Sequence, residues 1–432
     1  MASAANIPSD TVSPTTRALQ VLGVCVVLNL IARGAGESFT VFLLPVSAEM
    51  GWSRAEITSV YAVFMIAHAC AAPFVGLVFD RLGGRLTYML GLVAYGSGFA
   101  ITGAASELWQ VYLGLGLLAG TGVTAMGILP ATGLIGRWFE RRLTTAMAVA
   151  HAGLGLGVIM IVPCAQWLIQ EIGWRSTYAG MAIVLLGLLP VVALLPWRRF
   201  EAGNPAIFKP RTETAGGGLE ALRSAVRTVP FWSLFAVFFF TSISMFSISL
   251  QAIAYLIEQG LEPLKAAGAF AMMSLLSMAG MIGTGVLADR YGLCLTVTVT
   301  YVFTFIGIAC LWMYAAAPSV ILLMGFVVFF GLNQGARAPV VSTLIARLFE
   351  RGACAVQGVA SIGLGLGAGL GSWLTGMLYD MTGDYRAGFI LAAVTASIGM
   401  SQFWLVKALR TGKREDLDTS AAGDETVCPR AA

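Results

Sequence analysis

The sequence predicts an all-α polytopic membrane protein, with twelve transmembrane helices in two six-helix bundles. Hydrophobic residues make up 58% of the 432 positions and charged residues only 11%, whereas soluble domains carry about 25% charged residues. Apolar stretches long enough to cross a bilayer recur along the chain. Short strings are also repeated between its two halves. Because so little charge is available to cover a water-exposed surface, the composition excludes soluble enzymes, nucleic-acid-binding proteins and disordered proteins.

Twelve apolar stretches of about 20 residues or more each match the thickness of a bilayer core. We number them spans 1 to 12, and they cover residues 18–45, 54–79, 86–106, 109–136, 143–170, 175–196, 230–257, 264–288, 294–316, 318–346, 353–379 and 387–407.

One connection, residues 198–229, is longer than the others and contains three consecutive glycines. It predicts a cytoplasmic linker between an N-terminal bundle, residues 18–197, and a C-terminal bundle, residues 230–407. Residues 1–17 and 408–432 are expected to be cytoplasmic tails. The second tail has the mixed-charge, polar composition that is typical of disorder.

The 26 lysines and arginines are distributed unevenly about these spans. Two of them, Arg33 and Arg337, lie inside spans, and 20 lie in the tails and in the connections on the side of the N-terminus. The other four lie on the opposite side, namely Arg54, Arg175, Lys265 and Arg386. Because short cytoplasmic connections are enriched in Lys and Arg, both termini are predicted to be cytoplasmic, in a bacterial-type inner membrane or a plasma membrane.

Short strings recur in the two halves at a nearly constant spacing. The string GLVFDRLG begins at Gly76, and GVLADRYG begins 209 residues later. RWFERR begins at Arg137 and RLFERG begins 210 residues later, while GLGLG begins at Gly153 and again 210 residues later. Repeats in register indicate that the two bundles arose by duplication.

The G-x-x-x-D-R-x-G string between spans 2 and 3, with its weaker copy between spans 8 and 9, resembles the signature of the major facilitator superfamily, over about residues 17–410. The resemblance implies a secondary transporter whose two bundles rock about a site at the bilayer midplane. A short, glycine-bent, charged loop suits an interface that opens and closes, and Asp80 could accept hydrogen bonds from a helix N-terminus or a facing arginine. Alternatively, the charges only fix the topology. The gating candidates are Gly76, Asp80, Arg81, Gly83, Arg85, Asp289 and Arg290.

The run VFLLPVSAEMGWSRAEITSVYAVF, which begins at Val41, and the pairing of RWF with a glycine-rich span 5 are similar to the monocarboxylate porter and oxalate/formate antiporter branches. These branches imply a small organic anion as substrate, held by a basic residue on span 8 or span 11. Here span 8 has only Lys265 at its outer end, and span 11 has no basic residue. Other cations would therefore have to hold the anion.

Ionisable side chains inside a membrane are costly, so they are functional candidates. Arg33 and Glu37 are four residues apart and share one face of span 1. They are either an anion anchor beside a proton acceptor or a structural ion pair. Arg337 on span 10 follows Asn333 and Gln334, a group that suits bidentate binding of a carboxylate. Arg337 could instead pair with Glu37 or cap a broken helix.

Three further polar side chains lie within spans. Histidine in general titrates near neutral pH, so His68 on span 2 or His151 on span 5 could relay a proton or simply bond a neighbouring carbonyl. Gln251 on span 7 is either a hydrogen-bonding group of the cavity or a packing residue. The substrate-binding candidates are thus Arg33, Arg337, Asn333, Gln334 and Gln251, and the proton-coupling candidates are Glu37, His68 and His151.

The favoured function is a secondary transporter of a small organic anion, a monocarboxylate, with the proton as co-substrate and the bilayer as its surroundings. The alternatives are an efflux transporter for a drug-like or metabolite substrate and a membrane sensor that does not transport. No enzyme is predicted, since no nucleophile–base pair or phosphate loop is found. The seven scattered cysteines and two histidines predict no metal site, and no cofactor or nucleic-acid partner is expected.

Overall fold

A computed structural model describes residues 14–139, 143–203, 223–349 and 353–411, and no β-strand occurs within these ranges. The helices, numbered in chain order, are α1 (Pro14–Glu37), α2 (Phe39–Met50), α3 (Arg54–Gly103), α4 (Leu108–Val111), α5 (Gly120–Met126), α6 (Ile128–Ile135), α7 (Leu143–Leu194), α8 (Trp197–Ala202), α9 (Val229–Ser249), α10 (Ala252–Glu258), α11 (Pro263–Tyr291), α12 (Leu293–Ala316), α13 (Val320–Asn333), α14 (Arg337–Leu348), α15 (Ala353–Thr382), α16 (Arg386–Leu405) and α17 (Lys407–Thr411). A π-helical stretch, Tyr112–Ala119, joins α4 to α5.

These helices accommodate all twelve predicted spans. Nine helical stretches of the described chain are long and apolar enough to cross a membrane. Two of them have 50 and 46 residues, namely Arg54–Gly103 in α3 and Val149–Leu194 in α7, far more than one crossing needs. Each contains two spans and turns at a glycine of positive φ, Gly83 in α3 and Gly173 in α7. The shorter helices α13 and α14 together form span 10.

The two halves turn at equivalent positions. Glycines of positive φ pair across the duplication as Gly51 with Gly260, Gly83 with Gly292 and Gly173 with Gly383. Their spacings are 209, 209 and 210 residues, which match the spacings of the repeated strings. Span 4 breaks at Gly127, and span 10 breaks at residues 334–336, again about 209 residues later. The repeat in the sequence is therefore a repeat in backbone conformation.

The two GLGLG strings make the same contacts in each half. In span 5, a Cβ added to Gly153 or Gly157 would collide with backbone oxygens of span 1, those of Val26 and Leu30. In span 11, the outer glycines meet span 7, where Gly367 lies against the backbone oxygen of Phe239. Glycine at these positions lets the helix backbones approach closely. Each string thus holds its own bundle together.

The middle glycine of each string contacts the opposite half. Gly155 lies against Met278 of span 8, and Gly365 lies against Ala69 of span 2. Positions 278 and 69 are themselves 209 residues apart, so the two contacts are related by the duplication. Spans 5 and 8 and spans 2 and 11 therefore form the two seams between the bundles.

The seam between spans 2 and 11 is closed at one end and open at the other. We call the side where α1 begins and α17 ends the terminal face and the opposite side the distal face. Near the distal face, Thr58 of span 2 lies against Gly376 of span 11. Eleven residues closer to the terminal face on each helix, Ala69 lies against Gly365. Another seven residues closer to the terminal face, the corresponding positions are Gly76 and Gly358. A Cβ added to either would meet no described atom within 4 Å, so the two helices are no longer in contact there.

The hydrophobic core divides in the same way. One large cluster of buried apolar residues joins both halves and includes Tyr61 of the first half with Tyr255 and Phe389 of the second. The terminal part of the second half has its own cluster, which includes Val297 and Phe403. In this conformation the bundles are packed together toward the distal face and separate toward the terminal face.

Substituting Gly157 by alanine is expected to separate spans 1 and 5, because the new Cβ would overlap the carbonyl oxygen of Leu30. Forcing an extra carbon into a packed contact costs about 1–3 kcal/mol. We expect a lower midpoint of thermal unfolding for Gly157→Ala in detergent. The control is Gly187→Ala on span 6, where a Cβ meets nothing within 4 Å. Equal midpoints for the two variants would contradict the packing role of the string.

Candidate functional site

Arg33 and Glu37 form an ion pair near the middle of span 1. Arg33 Nη2 lies 2.6 Å from Glu37 Oε1, and the side chains are 41% and 8% exposed. The spacing of four residues brings them together on one helical turn, and α1 ends at Glu37 itself. The Glu37 side chain is therefore buried, whereas the Arg33 side chain is partly exposed.

Aromatic and imidazole side chains of span 2 surround this pair. Tyr61 is close enough to interact electrostatically with both Arg33 and Glu37, and its ring stacks on Phe39 at 5.2 Å. His68 lies within electrostatic range of Arg33, and its Nδ1 is 2.8 Å from the hydroxyl of Thr124. His68 therefore belongs to the same wall as the ion pair.

Arg337 is buried inside the second half and does not pair with Glu37. Its side chain, 5% exposed, turns to span 9, where Nε donates to Thr300 Oγ1 at 3.2 Å and Nη2 donates to the Thr300 carbonyl and to Thr304 Oγ1. The guanidinium carbon lies 3.9 Å from the centroid of the Tyr301 ring. No carboxylate of the described residues lies within ion-pair distance of Arg337.

Arg337 also lines a cavity of about 90 Å³ in the second half. Side chains of spans 7, 10 and 11 form its wall, among them Asn333 and Gln334. Asn333 Nδ2 donates to the Phe329 carbonyl at 2.7 Å, and Gln334 Nε2 donates to Ser249 Oγ at 3.3 Å. The structure thus brings three of the predicted substrate-binding residues to one cavity.

Gln251 lies at the break between α9 and α10 and is 2% exposed. Neither its Nε2 nor its Oε1 has a hydrogen-bond partner within the described protein. A buried amide without partners costs free energy, and such groups usually serve a ligand, water or a conformational change.

His151 lies on the exposed side of span 5, four residues before Gly155. Its Nδ1 is 2.9 Å from the Met147 carbonyl of the same helix. Along span 5 it lies on the terminal side of the Gly155–Met278 contact. The structure does not bring His151 to the Arg33–Glu37 pair.

The predicted gating residues lie at the terminal face. Asp80, Arg81, Arg85 and Arg290 are exposed, and the side chain of Asp289 lies outside the described residues. The carboxylate that caps the N-terminus of span 3 is Glu201, on α8, which accepts from the backbone N–H groups of Gly84 and Arg85 at 2.6 and 3.3 Å. Gly83 has a φ of 79°, a left-handed conformation that favours glycine at this turn.

A polar network that we call the distal latch joins the bundles at the distal face. Arg54, at the start of α3, forms an ion pair with Glu258 of span 7 and is 7% exposed. Asp380 of span 11 accepts from the backbone N–H groups of Arg54 and Ala55 at 3.0 and 2.6 Å, a favourable place for a carboxylate. Tyr379 donates to Glu258 Oε2 at 3.1 Å. The latch links span 2 of one half to spans 7 and 11 of the other.

Sequence reasoning missed several of these groups. In the sequence, Arg54 is only one of the four basic residues on the outer side. Nothing in the sequence indicates that Thr300 and Thr304 bind Arg337 or that Glu201 caps span 3. A charged residue directly after a predicted helix start, with acids at the ends of spans 7 and 11, is the pattern that could have indicated the latch.

Two structurally related helical bundles, with ionisable side chains in otherwise apolar spans between them, define a polytopic secondary transporter. The family model of the Major Facilitator Superfamily matches residues 23–317 and 284–427. The chain belongs to this superfamily, and it is accordingly a multi-pass integral membrane transporter and not an enzyme.

Named relatives and a solved structure agree with this assignment. Monocarboxylate transporter 13 of Bos taurus is 27% identical over 419 residues, which cover 93% of each chain. Monocarboxylate transporter 11 of Homo sapiens is 28% identical over 376 residues, 84% of this chain and 78% of its own. A bacterial homologue of the human lysosomal transporter Spinster, solved in an inward-facing and unoccupied conformation, has a TM-score of 0.67 at 15% identity, with 96% of this chain and 99% of that chain covered. The last comparison shows the shared fold.

The latch and the open seam predict a cross-linking result. In a cysteine-free background, a Gly76→Cys/Gly358→Cys pair should cross-link weakly. The two positions lie at the same level of spans 2 and 11, but the helices are not in contact there. Adding Arg54→Gln removes the latch ion pair and should raise the cross-linked fraction several-fold, since each 1.4 kcal/mol lost shifts a two-state equilibrium about tenfold.

The matched control is Lys265→Gln, which breaks an exposed ion pair with Glu262 within one helix at the same face. It should leave cross-linking unchanged. If Arg54→Gln and Lys265→Gln give the same cross-linked fraction, the distal latch does not hold the terminal face open.

Proposed function

We propose that the protein carries a small monocarboxylate together with a proton, and that its terminal face is cytoplasmic. The 20 basic residues on the terminal side against four on the distal side support this orientation. Relatives named as monocarboxylate transporters support the substrate class. In this assignment the seam that is open at the terminal face gives access from the cytoplasm.

The observation that carries the proposal is the partly exposed side chain of Arg33, paired with the buried side chain of Glu37. A guanidinium presents a planar fork of donors that matches a carboxylate. In a poorly hydrated cavity such a cation is costly unless an anion pairs with it. Glu37 is the anion that pairs with Arg33 when no substrate is bound, and a substrate carboxylate can replace Glu37 as the partner of Arg33.

Exchange of these partners couples the anion to a proton. When Glu37 takes up a proton, its attraction for Arg33 falls and the guanidinium is free to bind the substrate carboxylate. The loaded site, with Arg33, neutral Glu37 and one anion, has the same net charge as the ion pair alone. Binding of the proton and the anion together therefore leaves the net charge of this site unchanged. His68, which lies near Arg33, is the candidate to pass the proton onward.

The second half contributes polar groups and positive potential. Arg337 has threonine partners but no described carboxylate, so its charge makes the cavity attractive to anions. Asn333 and Gln334 lie in the cavity wall, and Gln251 is an amide whose donor and acceptor are both unused within the described protein. Binding that engages both halves would favour closure of the terminal seam.

Arg33→Gln should reduce carboxylate uptake into proteoliposomes by at least about tenfold, since a charge-assisted bidentate interaction is lost. Arg33→Lys keeps the positive charge but loses the planar pair of guanidinium donors, so this variant should retain partial activity. The control is Arg175→Gln, because Arg175 also pairs with a glutamate, Glu49, and has a similar exposure of 37%. Wild-type rates in Arg33→Gln would rule out this anchor.

Glu37→Gln should separate anion movement from the proton. Wild-type uptake is expected to rise with an inward proton gradient and to collapse with an uncoupler. In Glu37→Gln we expect exchange of labelled for unlabelled carboxylate to persist while gradient-driven accumulation is lost, because Arg33 no longer needs a proton to become free. Glu49→Gln serves as the control. Gradient-driven accumulation by Glu37→Gln would assign the coupling to another group.

A further inference from the structure

A hollow with a basic wall lies at the terminal face, between the ends of spans 3 and 6. We call it the basic hollow. It measures about 790 Å³, within the range of about 300–1,000 Å³ that small-molecule sites have. Arg85 of span 3 and Arg198 and Arg199 of α8 line it, and all three are exposed. Glu201 also lines it, but its carboxylate accepts from the backbone N–H groups of span 3. Among the described residues of the wall, positive side chains therefore outnumber negative ones by three to one.

The short helix that carries two of these arginines is anchored to the bundle. Trp197 of α8 donates from Nε1 to the Val192 carbonyl at 2.6 Å. The Phe200 carbonyl of α8 accepts from Trp138 Nε1 at 2.7 Å. The side chains of Trp197 and Phe200 are both buried. The two arginines between them in the sequence are therefore held on the outer surface of α8.

An apolar groove adjoins the basic hollow at the end of span 6. It measures about 470 Å³, runs between spans 1 and 6, and shares Leu195 and Pro196 with the hollow. Val27 and Val191 in its wall are about half exposed. Gly23 also lines it, and a Cβ at this position would meet nothing within 4 Å. An exposed apolar groove on a membrane-spanning bundle suits hydrocarbon chains, which make no hydrogen bonds.

The equivalent positions of the second half are not basic. The counterparts of the three arginines, 209 or 210 residues later, are Cys294, Ala408 and Leu409. Ala408 and Leu409 are buried in the core cluster of the second half. The fold that the two halves share therefore does not require arginine at these positions. The bias of basic residues toward one side of a membrane explains their sign but not their convergence on one hollow.

We infer that the basic hollow and the adjoining groove bind one anionic phospholipid, with its phosphate-bearing headgroup at Arg85, Arg198 and Arg199 and an acyl chain in the groove. Guanidinium groups bind phosphate oxygens through paired N–H donors. Basic pockets between the cytoplasmic ends of membrane helices suit anionic headgroups. The bound lipid links span 3 to the end of span 6. This site is separate from the Arg33–Glu37 pair and does not depend on the identity of the transported substrate.

The first test compares phosphatidylglycerol with phosphatidylcholine of the same acyl chains. Each lipid is added to the full chain in detergent, and bound lipid is counted by native mass spectrometry. We expect wild-type protein to bind phosphatidylglycerol at least about tenfold more tightly. Arg85→Gln/Arg198→Gln should remove most of this preference, since each basic residue beside an anionic headgroup is worth about fivefold in affinity.

The matched control is Arg223→Gln/Arg227→Gln, which removes two exposed arginines of the terminal face that do not line the hollow. This variant should keep the preference for phosphatidylglycerol. Equal affinity of the wild-type protein for the two lipids would overturn the inference. An equal effect of the two double substitutions would do so as well.

The second test distinguishes a lipid from a free phosphate compound. Gly23→Phe fills the groove and should weaken phosphatidylglycerol binding several-fold. Gly187→Phe is the control, because Gly187 lies on span 6 outside both walls and, like Gly23, has open space around its Cβ position. Glycerol 3-phosphate, added at the same concentration as the lipid, should not displace it. Displacement, or unchanged lipid binding by Gly23→Phe, would assign the hollow to a free phosphate compound and overturn the inference.

Discussion

Close approach of helix backbones at the two GLGLG strings is the contact on which the rest of the structure depends. The outer glycines bind span 5 to span 1 and span 11 to span 7, and the middle glycines bring the two bundles together. Without a strong hydrophobic drive between helices in lipid, such close packing supplies much of the association. Because one middle glycine lies in each seam, both contacts between the bundles depend on the absence of a side chain there.

The two intramembrane arginines show two ways of accommodating a charge in a medium that does not hydrate it. Arg33 has a full counter-ion four residues away, so its charge is neutralised but can be released when the partner is protonated. Arg337 is surrounded by hydroxyl groups, a carbonyl and an aromatic ring, which stabilise the cation without neutralising it. The first arrangement suits exchange of partners, and the second provides a constant positive field.

Much of the fold could be predicted from the sequence, because span length, the distribution of Lys and Arg and the repeated strings each report on a simple physical requirement. The Arg33–Glu37 pair followed from helical spacing alone. The partners of Arg337 could not be predicted, since Thr300 and Thr304 are common residues on another span. Glu201 was missed for the same reason, because its contact with Gly84 depends on how α8 folds back beneath span 3.

The sequence by itself determined that the chain is a duplicated, twelve-span membrane protein with five ionisable side chains within its spans. These conclusions need only composition and periodicity, since the cost of burying charge and backbone in lipid acts on each segment separately. Only the tertiary structure decided which face is closed and that Arg54, Glu258 and Asp380 close it. These features join residues more than a hundred positions apart, so they depend on how the bundles pack rather than on any one segment.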